Sequence, residues 1–200
     1  MRRLDLLQPV ADDEVNVGVQ SNVSQSFIPQ HANLSSIQLR VSNPDLQGNK
    51  SYLVAILDQN HKLLRSLVVT DANLGWEAPL RFDFAPIANS NKQLFFLTIS
   101  QIPQIPEAST SAKSLGISTS TQDLYPDGSL LINNQKAPGD LTFQMFYQTS
   151  AGEFIKDSLI DFKKHASADP GFITVFVVVE ILLLWLMLKR LTKIGAGKRT

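Results

Sequence analysis

The chain has 200 residues, 44% of them hydrophobic and 18% charged, a composition that excludes a disordered chain and a polytopic membrane protein. It contains no cysteine, which excludes disulfides, thiolate catalysis and cysteine-ligated metal sites. Residues 189–200 hold five bases and no acid, which leaves 13 bases and 18 acids in residues 1–188, a net charge of −5. A basic surface for nucleic acid is therefore not expected on the body of the chain.

Residues 25–150 consist of short segments in which apolar and polar side chains alternate between turn-forming residues. Such alternation predicts half-buried strands, as in Leu80–Phe84, and the wholly apolar Tyr52–Leu57 predicts a central strand. Asp58–His61 predicts a tight turn that continues this strand into a hairpin. About eight strands without a long helix predict an all-β, antiparallel sandwich. Residues 1–24 show no sustained period and are interpreted as a lead-in strand or linker.

Residues 151–168 follow a helical rather than an alternating pattern. Ile155, Leu159 and Phe162 fall on one face of a helix, and charged side chains take other positions. The pattern predicts a short amphipathic helix before a membrane span. This helix either lies at the membrane interface or packs on the sandwich.

Residues 169–188 predict one C-terminal transmembrane helix. The run Gly171–Leu188 contains 18 residues and a single charge. As a helix it would be about 27 Å long, close to the hydrocarbon thickness of a bilayer. Trp185, Lys189 and Arg190 stand where interfacial anchors are found. A buried core helix is the alternative, but the abrupt change to a basic tail favours the membrane.

The charges that flank this run predict its orientation. The tail, residues 189–200, carries five bases, and the other flank offers Lys156, Lys163 and Lys164. The positive-inside rule then places the tail in the cytoplasm and the sandwich outside it. No apolar signal segment follows Met1. Either the natural start lies upstream, which we favour, or the domain stays in the cytoplasm as a tail-anchored protein.

Glu180 stands near the middle of the apolar run. An ionised carboxylate there costs about 2.5–3.5 kcal/mol on insertion scales, so we expect it to be protonated or paired. Its helical face includes Phe176, Leu183 and Met187. Three interpretations stay open: a tolerated protonated side chain, a contact with a polar group on a partner helix, and an ion or proton path.

The sequence contains no motif for a catalytic nucleophile, a phosphate loop, a dinucleotide site or a zinc protease. His31, His61 and His165 lie in predicted turns or linker without a partner at metal-ligand spacing, and we interpret them as solvated surface residues. These observations predict a protein that is not an enzyme.

Several segments of the body share a pattern with a known family. They are Gln25–Phe27 with Asn33–Leu39, then Leu124–Ser129, Ile132–Gln135 and Pro138–Phe143, with Asp169–Phe172 entering the apolar run. They resemble a jelly-roll module of bacterial membrane proteins of envelope polysaccharide assembly. Asp127 and Asn134 stand in place of glycines of that family's YPGG and NGQ motifs. Physically, these residues are mainly turn formers: we expect a positive φ at the glycine of Tyr-Pro-Asp-Gly, and left-handed conformations at Asn133-Asn134.

The resemblance implies a jelly-roll, carbohydrate-binding-like module in the bacterial cell envelope, anchored in the plasma membrane. Many jelly rolls hold a structural calcium, so Asp123, Asp127 and Asp140 are the candidate metal ligands. Trp76 and Tyr125 are the aromatic residues most able to stack on a sugar ring, with burial in the sandwich as the alternative.

We therefore expect a non-catalytic, membrane-anchored β-sandwich that binds glycan or supports a glycan-assembly enzyme. No cofactor other than calcium and no nucleic-acid partner is expected. The alternative is a structural subunit of a larger membrane complex, in which Glu180 contacts a helix of a polytopic partner.

Overall fold

The structure is a computed structural model that describes residues 1–43, 46, 48, 50–103, 114–168, 171, 174–175, 177–179, 181–183, 185 and 189. The chain divides into two units, Met1–Thr149 and Ser150–Thr200. The strands of the described residues all lie in the first unit, and the second unit is helical wherever it is described beyond residue 150.

Thirteen strands are present in the described part of the first unit. In chain order they are β1 Arg2–Gln8, β2 Asp13–Val17, β3 Asn22–Phe27, β4 Leu34–Ser42, β5 Ser51–Asp58, β6 Leu63–Thr70, β7 Glu77–Ile87, β8 Phe95–Ile102, β9 Leu115–Ser120, β10 Leu130–Ile132, β11 Gln135–Lys136, β12 Asp140–Leu141 and β13 Phe143–Gln148. A 3-10 turn, Asp71–Asn73, lies between β6 and β7.

The strands form two antiparallel sheets. In the larger sheet, β4 pairs with β7 along one edge, and along its other edge with β13 and then β9. The outer edge of β13 pairs with β1, and that of β9 pairs with β2. The smaller sheet has the strand order β11-β10-β3-β8-β5-β6. The predicted antiparallel two-sheet sandwich is confirmed.

The core lies between the inner faces of the two sheets. Alternate residues of each strand enter it, so that Ile37, Leu39 and Val41 of β4 are almost fully buried, as are Leu97 and Ile99 of β8. This alternation is the one that predicted the strands, since successive side chains of a strand point to opposite faces.

The sandwich begins earlier than the sequence pattern indicated. The sequence leaves residues 1–24 as a lead-in strand or a linker; they contain two strands, β1 and β2, that are full members of the larger sheet. The pattern was hidden because β1 is interrupted: its register shifts between Leu4 and Leu6, which places Asp5 in a bulge. An irregular strand of this kind shows no clean two-residue period.

The turn predictions had mixed outcomes. Asn133 and Asn134 adopt φ values of 53° and 63° between β10 and β11, which confirms the predicted left-handed hairpin turn. Gly128 is not among the residues with positive φ, so that expectation was wrong. Glycine is needed there for space, since a Cβ atom would lie 2.2 Å from the Ser26 carbonyl oxygen.

The second unit contains helix α1, Ala151–Ala168, which includes the predicted amphipathic segment. Its start is a capping box: the Glu153 backbone N–H donates to Ser150 Oγ over 3.2 Å, and the Ser150 N–H donates to Glu153 Oε2 over 3.0 Å. Ile155 and Leu159 of the apolar face are exposed.

The predicted transmembrane segment is only partly described. Its described residues between 171 and 189 are helical. No helix among the residues that the structure describes has both the length and the apolar character needed to cross a bilayer. Phe176, Glu180, Met187 and Arg190 lie outside the described residues.

Candidate functional site

Asp140, a predicted metal ligand, is fully buried and bound on both carboxylate oxygens. Its Oδ2 accepts the backbone N–H groups of Leu124 and Tyr125 over 2.7 and 2.8 Å. Its Oδ1 accepts a hydrogen bond from Gln25 Nε2 over 3.1 Å. In turn, Gln25 Oε1 accepts the Leu141 N–H. The carboxylate therefore joins the 121–125 loop to β3 and β12, which is a structural role.

The other two predicted metal ligands, Asp123 and Asp127, are exposed. The three carboxylates do not converge, and no group of three acidic, histidine or cysteine side chains in the described residues could hold a metal ion. The structure thus gives the calcium hypothesis no support.

Tyr125 is half-buried and packs against the core. Its hydroxyl accepts the Ile28 N–H over 2.9 Å, and its ring meets Phe143 edge-on, with centroids 5.5 Å apart. Burial raises the pKa of the phenol above 10.0, and it outweighs the hydrogen bond from Ile28, which lowers the pKa. Tyr125 is held by the sandwich and is partly accessible to solvent.

Trp76, in contrast, is 58% exposed and was not buried by folding. It follows the 3-10 turn Asp71–Asn73 in the chain. Asn43 holds this turn in place, because its Nδ2 donates hydrogen bonds to the backbone carbonyls of Asp71 and Leu74. Trp76 keeps a ring that is open to solvent, but it does not line the cavities described below.

His31 is an exposed surface residue, as interpreted from the sequence, but its side chain, 47% accessible, also makes specific contacts. Its Nδ1 lies 2.6 Å from Asp5 Oδ1, and its ring stacks on Tyr147 with centroids 4.2 Å apart. The Asp5 side chain is fully buried. His61 lies in the β5–β6 turn and stacks on Phe96 at 4.7 Å. The side chain of His165 is outside the described residues.

The outer face of the larger sheet collects polar side chains that the sequence did not single out. Gln144 of β13 is paired directly with Gln38 of β4, and Gln38 with Arg81 of β7. Their inward neighbours are buried, while Gln38 and Gln144 remain partly accessible. These two amides, called here the amide row, lie side by side across adjacent strands.

An arginine cluster borders the amide row. We use this name for Arg2, Arg81 and Asp83. Asp83 Oδ1 lies 2.8 Å from Arg2 Nη1 and 3.0 Å from Arg81 Nε. The Arg81 guanidinium lies over the Phe146 ring, 5.7 Å from its centroid. Partial burial raises the pKa of Asp83, but hydrogen bonds from Ser36, Arg81 and Arg2 outweigh this and lower it to about 2.

A cavity of about 330 Å³ opens beside the amide row, and a second cavity of about 410 Å³ shares lining residues with it. The first is lined by both amides together with Thr142. Arg40 and Glu77 line both cavities, and Arg40 Nη2 lies 3.7 Å from Glu77 Oε2. These are ordinary volumes for a small-molecule site, and the lining offers both donors and acceptors.

Sequence inspection missed this face because its residues come from four strands far apart in the chain. Gln38 and Gln144 are unremarkable polar positions of alternating strands, and only the register places them together. The one available signal was that three outward positions of β4 and β13, Gln38, Arg40 and Gln144, are amides and arginine rather than lysine and glutamate.

The predicted membrane anchors are placed in part. The Lys189 ammonium lies 4.8 Å from the centroid of the Trp185 ring, a cation–π contact between residues one helical turn apart. Leu183 is about half exposed.

No protein-family model matches the sequence, and no curated protein matches it either. Among solved structures, the chain is similar to a clostridial cysteine protease, Cwp84, after propeptide cleavage, with 12% identity and a TM-score of 0.49. It is also similar to the infectious bursal disease virus VP2 subviral particle, with 11% identity and a TM-score of 0.27.

The match to the protease covers 74% of this chain and 40% of that one, and the match to VP2 covers 84% and 46%. This chain thus spans less than half the length of either structure. Likenesses this weak bear on neither the fold nor the activity of this chain.

Proposed function

We propose that this protein is a non-catalytic, carbohydrate-binding-like module anchored in a bacterial plasma membrane, and that it binds glycan on the outer face of its larger sheet. The observation that carries the proposal is the amide row beside an open polar cavity. Amide groups donate and accept at once, which suits the paired hydroxyls of a sugar. The half-buried Phe146 ring adds an apolar surface for sugar C–H groups.

The strand order supports a jelly roll. One sheet contains the ladder β2-β9-β4-β7, and the other contains β3-β8-β5-β6. Eight strands in chain order thus divide between the sheets as two Greek keys do. Jelly rolls are common in sugar-binding domains, which is an analogy of fold and so supports the function weakly.

Membrane anchoring rests on the sequence of residues 171–188 and on the basic tail after it. The exposed apolar face of α1 supports the proposal, since Ile155 and Leu159 are 58% and 63% exposed. A helix of this kind suits the membrane interface. The proposed location places the sandwich outside the cytoplasm and the tail inside.

The test is a glycan array probed with the full-length chain in mild detergent, followed by titration of any glycan that binds. Replacing both Gln38 and Gln144 by alanine should weaken binding at least tenfold, because the amide row is lost. Gln135→Ala removes an exposed amide from β11 of the other sheet and should change nothing. Absence of any bound glycan, or equal losses in both variants, would contradict the proposal.

A second candidate function is a structural subunit of a larger membrane complex. One observation favours it: β6 exposes Leu63 and Val68, which are 53% and 55% accessible, on the outside of the smaller sheet. Val68 is paired with the partly buried Leu53, so the apolar surface continues across β5. Co-purification of a stoichiometric partner would support this function.

A further inference from the structure

We propose that the ligand of the outer sheet face carries a carboxylate, as a uronic acid does, and that Arg81 binds this group. The inference rests on the proposed function, because it specifies the sugar class for the same face. It is carried by the arginine cluster, whose contacts leave one guanidinium fixed in place and open to solvent.

Arg81 is held on two sides. Its Nε is bound to Asp83 Oδ1 over 3.0 Å, and its guanidinium lies over the Phe146 ring. Its side chain is nevertheless 47% exposed. Its two Nη groups have no hydrogen-bond partner among the residues that the structure describes. An arginine fixed in this way loses little side-chain entropy when it binds an anion.

The net charge of the arginine cluster favours a carboxylate over a phosphate as the bound anion. Asp83 neutralises only one of the two guanidiniums of the arginine cluster, so the cluster keeps one positive charge. In the first cavity, beside the amide row, Arg40 and Glu77 are the only charged residues of the described lining and balance each other, whereas the second cavity is also lined by Asp12, Asp13 and Glu14. One excess positive charge matches a carboxylate, which carries one negative charge, better than a phosphate, which carries about two at neutral pH. A planar carboxylate also fits the guanidinium fork in the bidentate geometry.

The position of Arg81 relates this charge to the sugar site. Arg81 is paired with Gln38, so the open guanidinium is the cross-strand neighbour of the amide row. A sugar whose hydroxyls meet the amides would thus place a ring carboxylate toward Arg81. The body of the chain has a net charge of −5, so an acidic glycan would be held by this local match and not by general attraction.

The test uses oligosaccharides of galacturonate, glucuronate and mannuronate, each paired with its methyl ester. Esterification removes the charge and keeps the sugar backbone. The full-length chain in mild detergent should bind at least one acid five or more times more tightly than its ester. The contact is ionic and exposed, so the preference for the acid over its ester should be smaller when the titration is run in about 300 mM salt than in about 20 mM salt.

Arg81→Gln should abolish the preference for the acid and leave the affinity for the ester within twofold. Arg81→Lys keeps the charge but loses the fork, so the preference should fall partially. Lys62→Gln removes the same charge from the exposed β5–β6 turn and is the matched control. The thermal midpoint of each variant shows that the sandwich stays folded.

The outcomes separate the two proposals. Equal binding of acid and ester would overturn the carboxylate inference and leave a glycan-binding protein. A preference that survives Arg81→Gln, or that Lys62→Gln also removes, would overturn the role of Arg81. Failure to bind any acid, while the array detects a neutral glycan, would overturn the inference alone. Failure to bind any glycan would overturn both.

Discussion

Asp140 is a buried carboxylate whose two oxygens accept three hydrogen bonds from nitrogen donors, and it shows how a single residue fixes a loop. Asp140→Asn would keep one acceptor oxygen but would turn an NH₂ group toward Gln25 Nε2. Gln25 cannot simply turn over, because its Oε1 accepts the Leu141 N–H. Since hydrogen bonds to charged groups are worth about 1.5–3 kcal/mol, we expect a loss of about 2–4 kcal/mol in the free energy of unfolding.

The control for this prediction is Asp127→Asn, which changes an exposed carboxylate of the same region. Such a surface change should stay within about 0.5 kcal/mol. Urea unfolding of the full-length chain in mild detergent, followed by circular dichroism, measures both variants. Similar losses for the two would show that Asp140 has no special structural role.

Asp83 makes the stability contributed by the arginine cluster depend on pH, and the direction of this dependence follows from the pKa of Asp83. Its folded-state pKa is lowered from 3.8 to about 2, so the unfolded state binds the proton more tightly. The stability from Asp83 is therefore fully present above about pH 5 and is lost as the pH falls toward 2. The side chain is 46% exposed, so solvent screening limits this contribution to less than about 1 kcal/mol.

Asp83→Asn should thus lower the thermal midpoint slightly at pH 7, and the difference from the wild type should disappear near pH 2. Melting curves at pH 7, 4 and 2 measure this difference. High salt should reduce it at pH 7, because the pairs are exposed. A constant difference at all three pH values would indicate a packing effect of the substitution instead.

At the scale of single elements, the strands were predictable wherever one face is buried and the other is not. The alternation in β4 and β7 and the hairpin at Asp58–His61 follow from side-chain period and turn chemistry alone. β1 was not predictable, since the bulge at Asp5 breaks its period. The burial of that bulge by His31 depends on contacts 26 residues apart in sequence.

Gly128 provides a test at this scale. The sequence predicted that glycine is needed there for a positive φ, whereas the structure shows that it is needed because a side chain has no space. Gly128→Ala would place a Cβ atom 2.2 Å from the Ser26 carbonyl oxygen and 2.7 Å from the Tyr125 ring. The backbone must shift, so we expect a loss of more than about 2 kcal/mol in the stability of the sandwich.

Gly152→Ala is the matched control. Gly152 lies in the first turn of α1, and a Cβ atom there meets nothing within 4 Å. Alanine should favour the helix by up to about 1 kcal/mol and leave the melting of the sandwich unchanged. Circular dichroism follows the sandwich, and hydrogen exchange follows the first turn of α1. A stable Gly128→Ala variant would mean that the loop can move away from β3.

At the scale of the whole molecule, two sheets and a following helix were predictable, but the candidate binding face was not. Fold class depends on hydrophobic period, which each segment shows by itself. The candidate site depends on register, which places Gln38 beside Gln144 across 106 positions and Arg81 beside Gln38. Register is fixed by packing of the whole core, so no local pattern shows which polar side chains become neighbours.

The orientation of the whole molecule is testable in intact spheroplasts. If the sandwich lies outside the cytoplasm, added protease should remove an epitope inserted near residue 110 and spare one at residue 200. The expectation follows from the five bases of the tail, which the positive-inside rule retains on the cytoplasmic side. Protection of the first epitope would indicate a cytoplasmic, tail-anchored protein.

Glu180 tests whether the chain acts alone or within a complex. A carboxyl group near mid-membrane must be neutral or paired, because hydrocarbon offers no water to solvate it. If a partner helix pairs with it, Glu180→Leu should leave membrane retention intact and reduce co-purification in mild detergent. Polar contacts between membrane helices average only about 0.6 kcal/mol, so the reduction should be partial.

Val179→Leu, which changes an adjacent apolar residue of the same run, is the control. Unchanged partners at unchanged stoichiometry, with retention improved, would mean that Glu180 is protonated in lipid and does not contact the partner helix.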